Sequence, residues 1–536
     1  MNSLQCRRPA LAVGSLLLVC CLRSFGQSSG PSSQPLGLVE ALQSTLANQP
    51  ALHIQEQQVV ASRAAVRQAT GLFDTVFETT LSQNRVNTPL NLYDQGQAGQ
   101  VGLMISNQVS NLTTLDIGAS KEYRNGVTIS PSLVTSRVTD NFANLGGTNL
   151  STLAFQVSVP LLRGRGRSVV AASETAAGIE VEASLLDLNQ NISNLLSTTA
   201  TSYWNAVGAA KSLKVAQESE ARGKVYVENV QTLIDAGRSA QTEIHQVNAN
   251  LATRSAARIA AEQNLLAALQ QLALAMGLTV DQMANVGMPM EEFPVDDGRA
   301  LAVLNAHSLQ QFLGLALQGR ADYLAAKKRE TEQKALLVPA RNGLLPQLNL
   351  NLNTGYSSID LGGSFGDYIS TPGRSAHGPD AGVGVSYRFP PRNNAASGAL
   401  MAAQSSLRQA ELHTLQTSES IMASLVTAVG GVRSAALQLQ RVREAAVASQ
   451  KALEGERDRY RLGQGQLVDV LTLEDRMTEA QQDQVNAELG YALALTQLRF
   501  VTGSIVAPDK TVQSVEREVF YTVPVPAAPK PPAGKE

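Results

Sequence analysis

Residues 347–356 read Gln347-Leu348-Asn349-Leu350-Asn351-Leu352-Asn353-Thr354-Gly355-Tyr356, with leucine at every second position and asparagine between. Side chains of a strand alternate between two faces, so the leucines lie on one side and the asparagines on the other. A wall between lipid and water needs that division, and an ordinary core strand does not. Three further segments keep the same period of two. Phe77, Thr79 and Leu81 alternate with Val76, Glu78 and Thr80; Leu153, Phe155, Val157 and Val159 with Ala154, Gln156 and Ser158; Val383, Val385, Tyr387 and Phe389 with Gly384, Ser386 and Arg388. The lipid-facing set is expected to include Leu348, Leu350, Leu352, Val383, Val385, Phe155 and Val157.

The remainder reads as long helix built in two copies. Leu38 to Ala69 can be laid on Leu309 to Ala340, so that Leu42 meets Leu313 and Leu46 meets Leu317; a one-residue shift then pairs Gly71-Leu72 with Gly343-Leu344. Val157-Ser158-Val159-Pro160 and Tyr387-Arg388-Phe389-Pro390 each end a strand before a long helix, and Ala236-Gly237 falls on Leu462-Gly463. Three ordered matches imply an internal repeat. Each half is helix, strand, strand, long helix, turn, helix. The long helices are expected near 168–236 and 395–461, and at ~1.5 Å per residue each spans on the order of 100 Å. Val181, Leu185, Leu188, Ile192 and Leu195 step by coiled-coil spacing, as do Leu425, Val429, Val432, Ala436 and Leu439. Gly237, Gly463 and Gly465 mark the two far tips.

Arg7 and Arg8 precede an apolar run from Ala10 to Leu22, and Ser24 and Gly26 form a small-x-small site before Gln27. That is the layout of a secretory signal peptide over 1–26. Acylation at Cys20 or Cys21 stays open, although Val19 and Cys20 stand where such a site usually has small residues. The three cysteines, Cys6, Cys20 and Cys21, all precede the cleavage site, so a mature chain would hold neither a disulfide nor a thiolate metal site. With 43 basic and 45 acidic residues nothing points to a nucleic-acid partner. The five histidines are scattered and no phosphate-binding loop is present, so neither an enzyme nor a cofactor is expected. No later stretch reads as a transmembrane helix. A membrane location therefore implies a closed barrel. Two hairpins give four strands, too few to close alone, so several chains must share one barrel. Thr114 to Ala119 and Val127 to Val134 flank Asn125-Gly126, and this additional hairpin within 112–137 is expected outside the membrane.

The expected organisation is a signal peptide over 1–26, a first repeat over 36–280, a linker over 281–307, a second repeat over 308–505 and a Pro-rich tail over 506–536, disordered from Val523. At Glu40-Ala41-Leu42 through Asn48-Gln49-Pro50, at Leu344-Leu345-Pro346-Gln347-Leu348, and at Tyr460-Arg461-Leu462-Gly463 followed by Leu467-Val468-Asp469-Val470-Leu471, the chain resembles the TolC-like outer-membrane efflux proteins. The resemblance implies an α+β fold: a homotrimer whose twelve-stranded barrel, four strands per chain, crosses the outer membrane and continues as a periplasmic helical barrel. It implies the exit duct of a tripartite efflux pump or type I secretion system, joined at the helix tips to a periplasmic adaptor (membrane fusion protein) and an inner-membrane transporter. Gly237, Arg238, Gly463 and Gly465 would meet the adaptor.

The resemblance also implies a pore constriction. Tyr460 matches its tyrosine, Glu243 with the preceding Thr242 its acidic partner, and Asp469 one of its two ring aspartates; Thr472 stands at the other. The family's arginine falls on Gly465, for which Arg461 or Arg459 would have to compensate. A trimer would then present three carboxylates where relatives present six, giving a weaker cation block and a looser latch. From position alone, Asp469 and Glu243 are equally acidic residues near helix starts, where they stabilise the N-terminal dipole. A periplasmic coiled-coil adaptor or scaffold would share the helices and the repeat but would not need lipid-facing strands. Cargo cannot be read from these residues.

Overall fold

The computed structural model describes residues 35–507 and 515–525, apart from 143, 239, 296, 297, 363 and 375. The expected signal peptide and Asp296-Asp297 of the linker lie outside the described residues. The first half runs α1 (Leu38–Asn48), α2 (Pro50–Thr70), β1 (Val76–Pro89), α3 (Leu92–Gln100), β2 (Asn107–Glu122), β3 (Thr128–Asp140), β4 (Thr148–Pro160), α4 (Arg167–Val170), α5 (Ala172–Asp235) and α6 (Glu243–Ala275). After α7 (Val280–Met283) and α8 (Arg299–Ala306) the second half runs α9 (Leu309–Gly319), α10 (Ala321–Asn342), β5 (Gln347–Asp360), α11 (Phe365–Ser370), β6 (Ala376–Arg388), α12 (Asn394–Arg461) and α13 (Leu467–Val501).

The repeat is visible in the helix ends. Pro50 at a helix start separates α1 from α2, and the corresponding break between α9 and α10 falls at Arg320. At the tips, Gly237 N–H donates to Ile234 O and Arg238 N–H to Leu233 O, while Gly463 donates to Tyr460 O and Gln464 to Arg459 O. Both are Schellman ends, closed by a left-handed glycine with φ of 69° and 73°. The helices α6 and α13 end in the same way at Gly277 and Gly503. There the chain approaches another backbone: a Cβ on Gly277 would stand 2.7 Å from Gln49 Cα, and one on Gly503 would stand 2.7 Å from Arg320 N. Each copy thus locks the end of its returning helix onto the break between its two short helices.

One expectation is corrected outright. The sheet has six strands, not four, in the order β1-β2-β3-β4-β5-β6, every neighbouring pair antiparallel. The hairpin expected outside the membrane is β2 and β3, inserted between β1 and β4. It belongs there because its register continues the two faces of its neighbours. Thr79, Ile117, Leu133, Leu153 and Tyr356 form one cross-strand row, and Ile129, Val157, Leu352 and Val383 another. The opposite face carries Ser130, Gln156, Asn353 and Gly382 in register.

The helices α5 and α12 have 64 and 68 residues, about 100 Å each at ~1.5 Å rise per residue. In α12 the expected seam is buried, with Leu425, Val432, Ala436 and Leu439 in the core. In α5 it slips: Leu185 is exposed, and Ala183 and Ser184 take the buried positions. The reason is close packing against α2, where Ser184 and Ser62 hydroxyls lie 2.8 Å apart and leave no room for leucine. Contrary to expectation, α12 contains a stretch long and apolar enough by composition to cross a bilayer. Only 28% of that stretch is buried: Leu425, Val432, Ala436 and Leu439 pack in the core shared with α8, α9 and α13, while Val426 and Leu437 stay exposed.

Partway along the long helices the linker and tail pack against them. Trp204 is fully buried among Tyr203, Phe293 and Tyr521, and burial pushes the Tyr203 phenol up to about 12. Part of the 506–536 tail packs: Val515, Phe520 and Val523 are buried, so the ordered chain extends beyond the point where disorder was expected. Residues 526–536 lie outside the described residues.

Candidate functional site

The tips of α5, α6, α12 and α13 meet in a small apolar cluster. Val230, Val247, Leu467 and Leu471 are buried there, with Val227, Ile234, Ile244 and Tyr460 packed around them. Tyr460, on α12, is half-buried. Burial first, and then the charge of Glu243 on α6, raises its phenol above the ordinary tyrosine value. The structure therefore brings the expected tyrosine and acid together across the two hairpins. Thr242 precedes α6 with helical dihedrals, φ −70° and ψ −23°, and its side chain makes no capping hydrogen bond among the described residues. Asp469 lies exposed in the first turn of α13, and Thr472 lies exposed one turn on, its hydroxyl donating to Val468 O at 2.8 Å.

The candidate compensating arginines are engaged elsewhere. Arg461 pairs with Asp458 at 3.6 Å and Arg459 with Glu456 at 3.1 Å, both along their own helix. Gly465 is fixed by its surroundings, since a Cβ there would stand 2.7 Å from Glu456 Oε1 and 3.1 Å from Tyr460 N. An arginine at 465 would displace the Glu456 carboxylate and press on the α12 backbone. Gly237, Arg238 and Gly463 are exposed at the tips.

Just above the tip stands a polar centre that the sequence reading missed. Glu474 of α13 is wholly buried. Its Oε1 accepts from Arg222 Nε of α5 and lies 3.7 Å from Arg254 Nη1 of α6. Its Oε2 accepts from Arg457 Nη2 of α12 at 2.6 Å and from the Tyr226 hydroxyl of α5 at 3.2 Å. Arg457 Nε also donates to Tyr226 Oη at 2.7 Å, and Arg254 Nη2 donates to Asp475 Oδ1 at 2.9 Å. One carboxylate thus joins four helices and faces three guanidinium groups. Burial works to raise the Glu474 carboxyl, but Arg222 and Arg457 outweigh it and hold the group below the ordinary glutamate value. The signal was present in α13: Leu467 and Leu471 lie on its buried face, and Glu474 continues that face with a charge.

At the other end of the tube, α5 is tied to the sheet. Arg124, in the turn between β2 and β3, donates from Nε and Nη2 to Glu174 in the first turn of α5, both at 2.7 Å, and its guanidinium lies 4.7 Å from the Phe73 ring centre. Asn125 O accepts from Gly166 N–H at 3.1 Å.

An antiparallel sheet with one apolar face, continued by helices about 100 Å long at ~1.5 Å per residue whose tips meet around an apolar cluster and a buried ion cluster, is the architecture of a membrane-wall sheet with a long helical extension. The chain belongs to the outer membrane efflux protein family, whose model matches residues 127–278 and 312–504. It is therefore an outer-membrane efflux protein, as the residue-level resemblance implied. It is 22% identical over 408 residues to the outer membrane protein TolC of Escherichia coli (strain K12), covering 74% of this chain and 76% of that protein. Among solved structures, the fold is similar to the open state of the Neisseria gonorrhoeae MtrE outer membrane channel, with a TM-score of 0.59 at 16% identity over 94% of this chain and 99% of that one. It is also similar to the outer membrane protein VceC from Vibrio cholerae, with a TM-score of 0.62 at 15% identity over 87% and 96%.

Proposed function

We propose that three copies of this chain form a passive exit duct, closed at rest at its periplasmic end and opened when partner proteins engage the helix tips. The single observation that carries this reading is the sheet, whose apolar face continues across all six strands and whose edges, β1 and β6, end without closing within one chain. Backbone groups at such edges cannot stay unpaired in lipid, so copies must pair β1 to β6 until a barrel closes. A coiled-coil adaptor would have no use for this sheet. The duct is not an enzyme: its work is to hold a wet path open or shut. The energy for transport then comes from an inner-membrane transporter, reached through an adaptor at Gly237, Arg238, Gly463 and Gly465, in a tripartite pump or a type I secretion system.

In this reading Tyr460, held in the charge field of Glu243, latches one hairpin to the other, and Asp469 supplies a ring of three carboxylates beside it. Removing the Asp469 charge with Asp469→Asn should weaken block by multivalent cations on the order of tenfold, as expected when a focused field of one sign is lost. Single-channel conductance in a planar bilayer, with the cation added from each side in turn, reads this directly; block identical to the unsubstituted protein would take Asp469 out of the pore. Tyr460→Phe should loosen each latch and raise the closed-state conductance. An unchanged conductance would assign Tyr460 to packing alone.

A further inference from the structure

We infer that the barrel of the assembled protein has eighteen strands, six from each of three chains, and that the β2–β3 hairpin forms part of its lipid-facing wall rather than a decoration on a twelve-stranded barrel. The inference rests on the trimeric duct proposed above and departs from what the family resemblance implied.

Four observations carry it. First, β2 and β3 are 16 and 13 residues long, more than the ~9–11 residues a tilted strand needs to cross a bilayer. Second, they lie between β1 and β4 with no break in antiparallel order, so removing them from the wall would leave β1 without its partner. Third, they continue the apolar belt at the level of the flanking strands: Leu115 stands opposite Leu81, Ile117 beside Leu133, Leu133 beside Leu153 and Ile129 beside Val157. The opposite face of the hairpin carries Thr114, Ser132 and Ser136, in line with a water-filled lumen.

Fourth, the hairpin is built into the structure at both ends. At its periplasmic turn, Tyr123 O accepts from Gly126 N–H at 2.7 Å and Gly126 takes φ of 93°, as in a three-residue hairpin loop closed by a bulge. A Cβ on Gly126 would collide with the Gly164 carbonyl and stand 2.8 Å from Pro160 Cγ, so this turn is pressed onto the junction where β4 leads into α4. The bidentate Arg124 to Glu174 pair then fixes it to α5. Toward the opposite end, Tyr368 of α11 donates its hydroxyl to Thr135 O at 3.0 Å, so the β5–β6 connection is tied to β3 at the level of Leu115.

A wall of eighteen strands changes the exit. With strands ~4.8 Å apart and tilted ~40°, the backbone diameter is about 36 Å, against about 24 Å for twelve strands. The outer-membrane end would then be about 1.5-fold wider, with more than twice the cross-section, which moves control of passage to the helical end.

The test uses the full-length oligomer with single cysteines introduced at Ile117, Leu133, Ser132 and Ser136, the unsubstituted protein giving the background. Ile117→Cys and Leu133→Cys should resist a membrane-impermeant thiol reagent and react with a bilayer-confined one. Ser132→Cys and Ser136→Cys should react with the impermeant reagent at least tenfold faster than the belt positions. Single-particle imaging of the unsubstituted trimer in lipid nanodiscs should count eighteen strands. A conducting trimer with twelve spanning strands and water-accessible Ile117→Cys and Leu133→Cys would overturn this inference while leaving the duct intact. A protein that neither closes a barrel nor conducts when joined to its adaptor would overturn both.

Discussion

Glu474→Ala is expected to destabilise the helical tips by about 3–5 kcal/mol, because removing one partner from a buried ion cluster leaves the others charged and unpaired. Here the remainder would be Arg222, Arg254 and Arg457, drawn from three different helices, with Asp475 as the nearest counter-charge. Their mutual repulsion would push α5 and α6 away from α12 and α13. Two readouts follow: proteolysis at the tips should accelerate, and closed-state conductance should rise, while the barrel end remains folded. Glu474→Gln keeps the size and part of the hydrogen bonding, so it should show the same direction with a smaller loss. Tip stability and conductance in Glu474→Ala equal to those of the parent would reduce the cluster to passive packing.

The same group gives the tip a pH response of fixed sign. The folded-state carboxyl is held below its unfolded value, so the folded tip binds the proton less readily than the unfolded chain does. The stabilisation is therefore complete above the ordinary glutamate value of 4.5 and is lost as pH falls below it toward the lowered folded value. Acid below that point should loosen the parent tip and leave Glu474→Gln largely unaffected.

The helical half of the fold was almost wholly legible because its signals are local. Gly237 and Gly463 end helices through bonds from the glycine and its successor to carbonyls three and five positions back, and the repeat between 38–69 and 309–340 survives as matched spacing of leucine and alanine. The additional hairpin was legible from Asn125-Gly126, but its place inside the sheet was not, for a physical reason. Pro131 lies inside β3, where a missing N–H argues against a central strand, and Arg137 puts a charge on the register of the apolar face. Only pairing with β4, where Pro131 sits opposite Phe155, reveals that these residues share a wall. The buried position of Glu474 could be read on the face of Leu467 and Leu471, but its partners were hidden by distance along the chain. Arg222 and Glu474 are 252 residues apart, and no spacing rule connects them.

Gly503→Ala is the second substitution expected to have a large effect, and it acts at the level of the tube where the returning helix ends. Gly503 has φ of 64°, a conformation that costs a residue with a side chain about 1–2 kcal/mol. Its added Cβ would also meet the Gly319 carbonyl, with the oxygen at 2.6 Å and Arg320 N at 2.7 Å. These are backbone atoms at the break between α9 and α10, so the clash cannot be relieved by turning a side chain. Overpacking of this kind adds about 1–3 kcal/mol, for a total near 3 kcal/mol or more. The heat-induced conversion of trimer to monomer should move to a clearly lower temperature. Gly490→Ala, in α13 with open space around its Cβ, should leave it unchanged or raise it. The first-half counterpart, Gly277, has φ of 71° and would drive a Cβ into Asn48 and Gln49, so Gly277→Ala should repeat the loss. Equal behaviour of the two glycines would mean that both halves of the duplicated chain depend on one backbone-to-backbone lock. A Gly503→Ala protein as heat-resistant as its parent would show that the α13 end can shift away from α9 and α10 without loosening the tube.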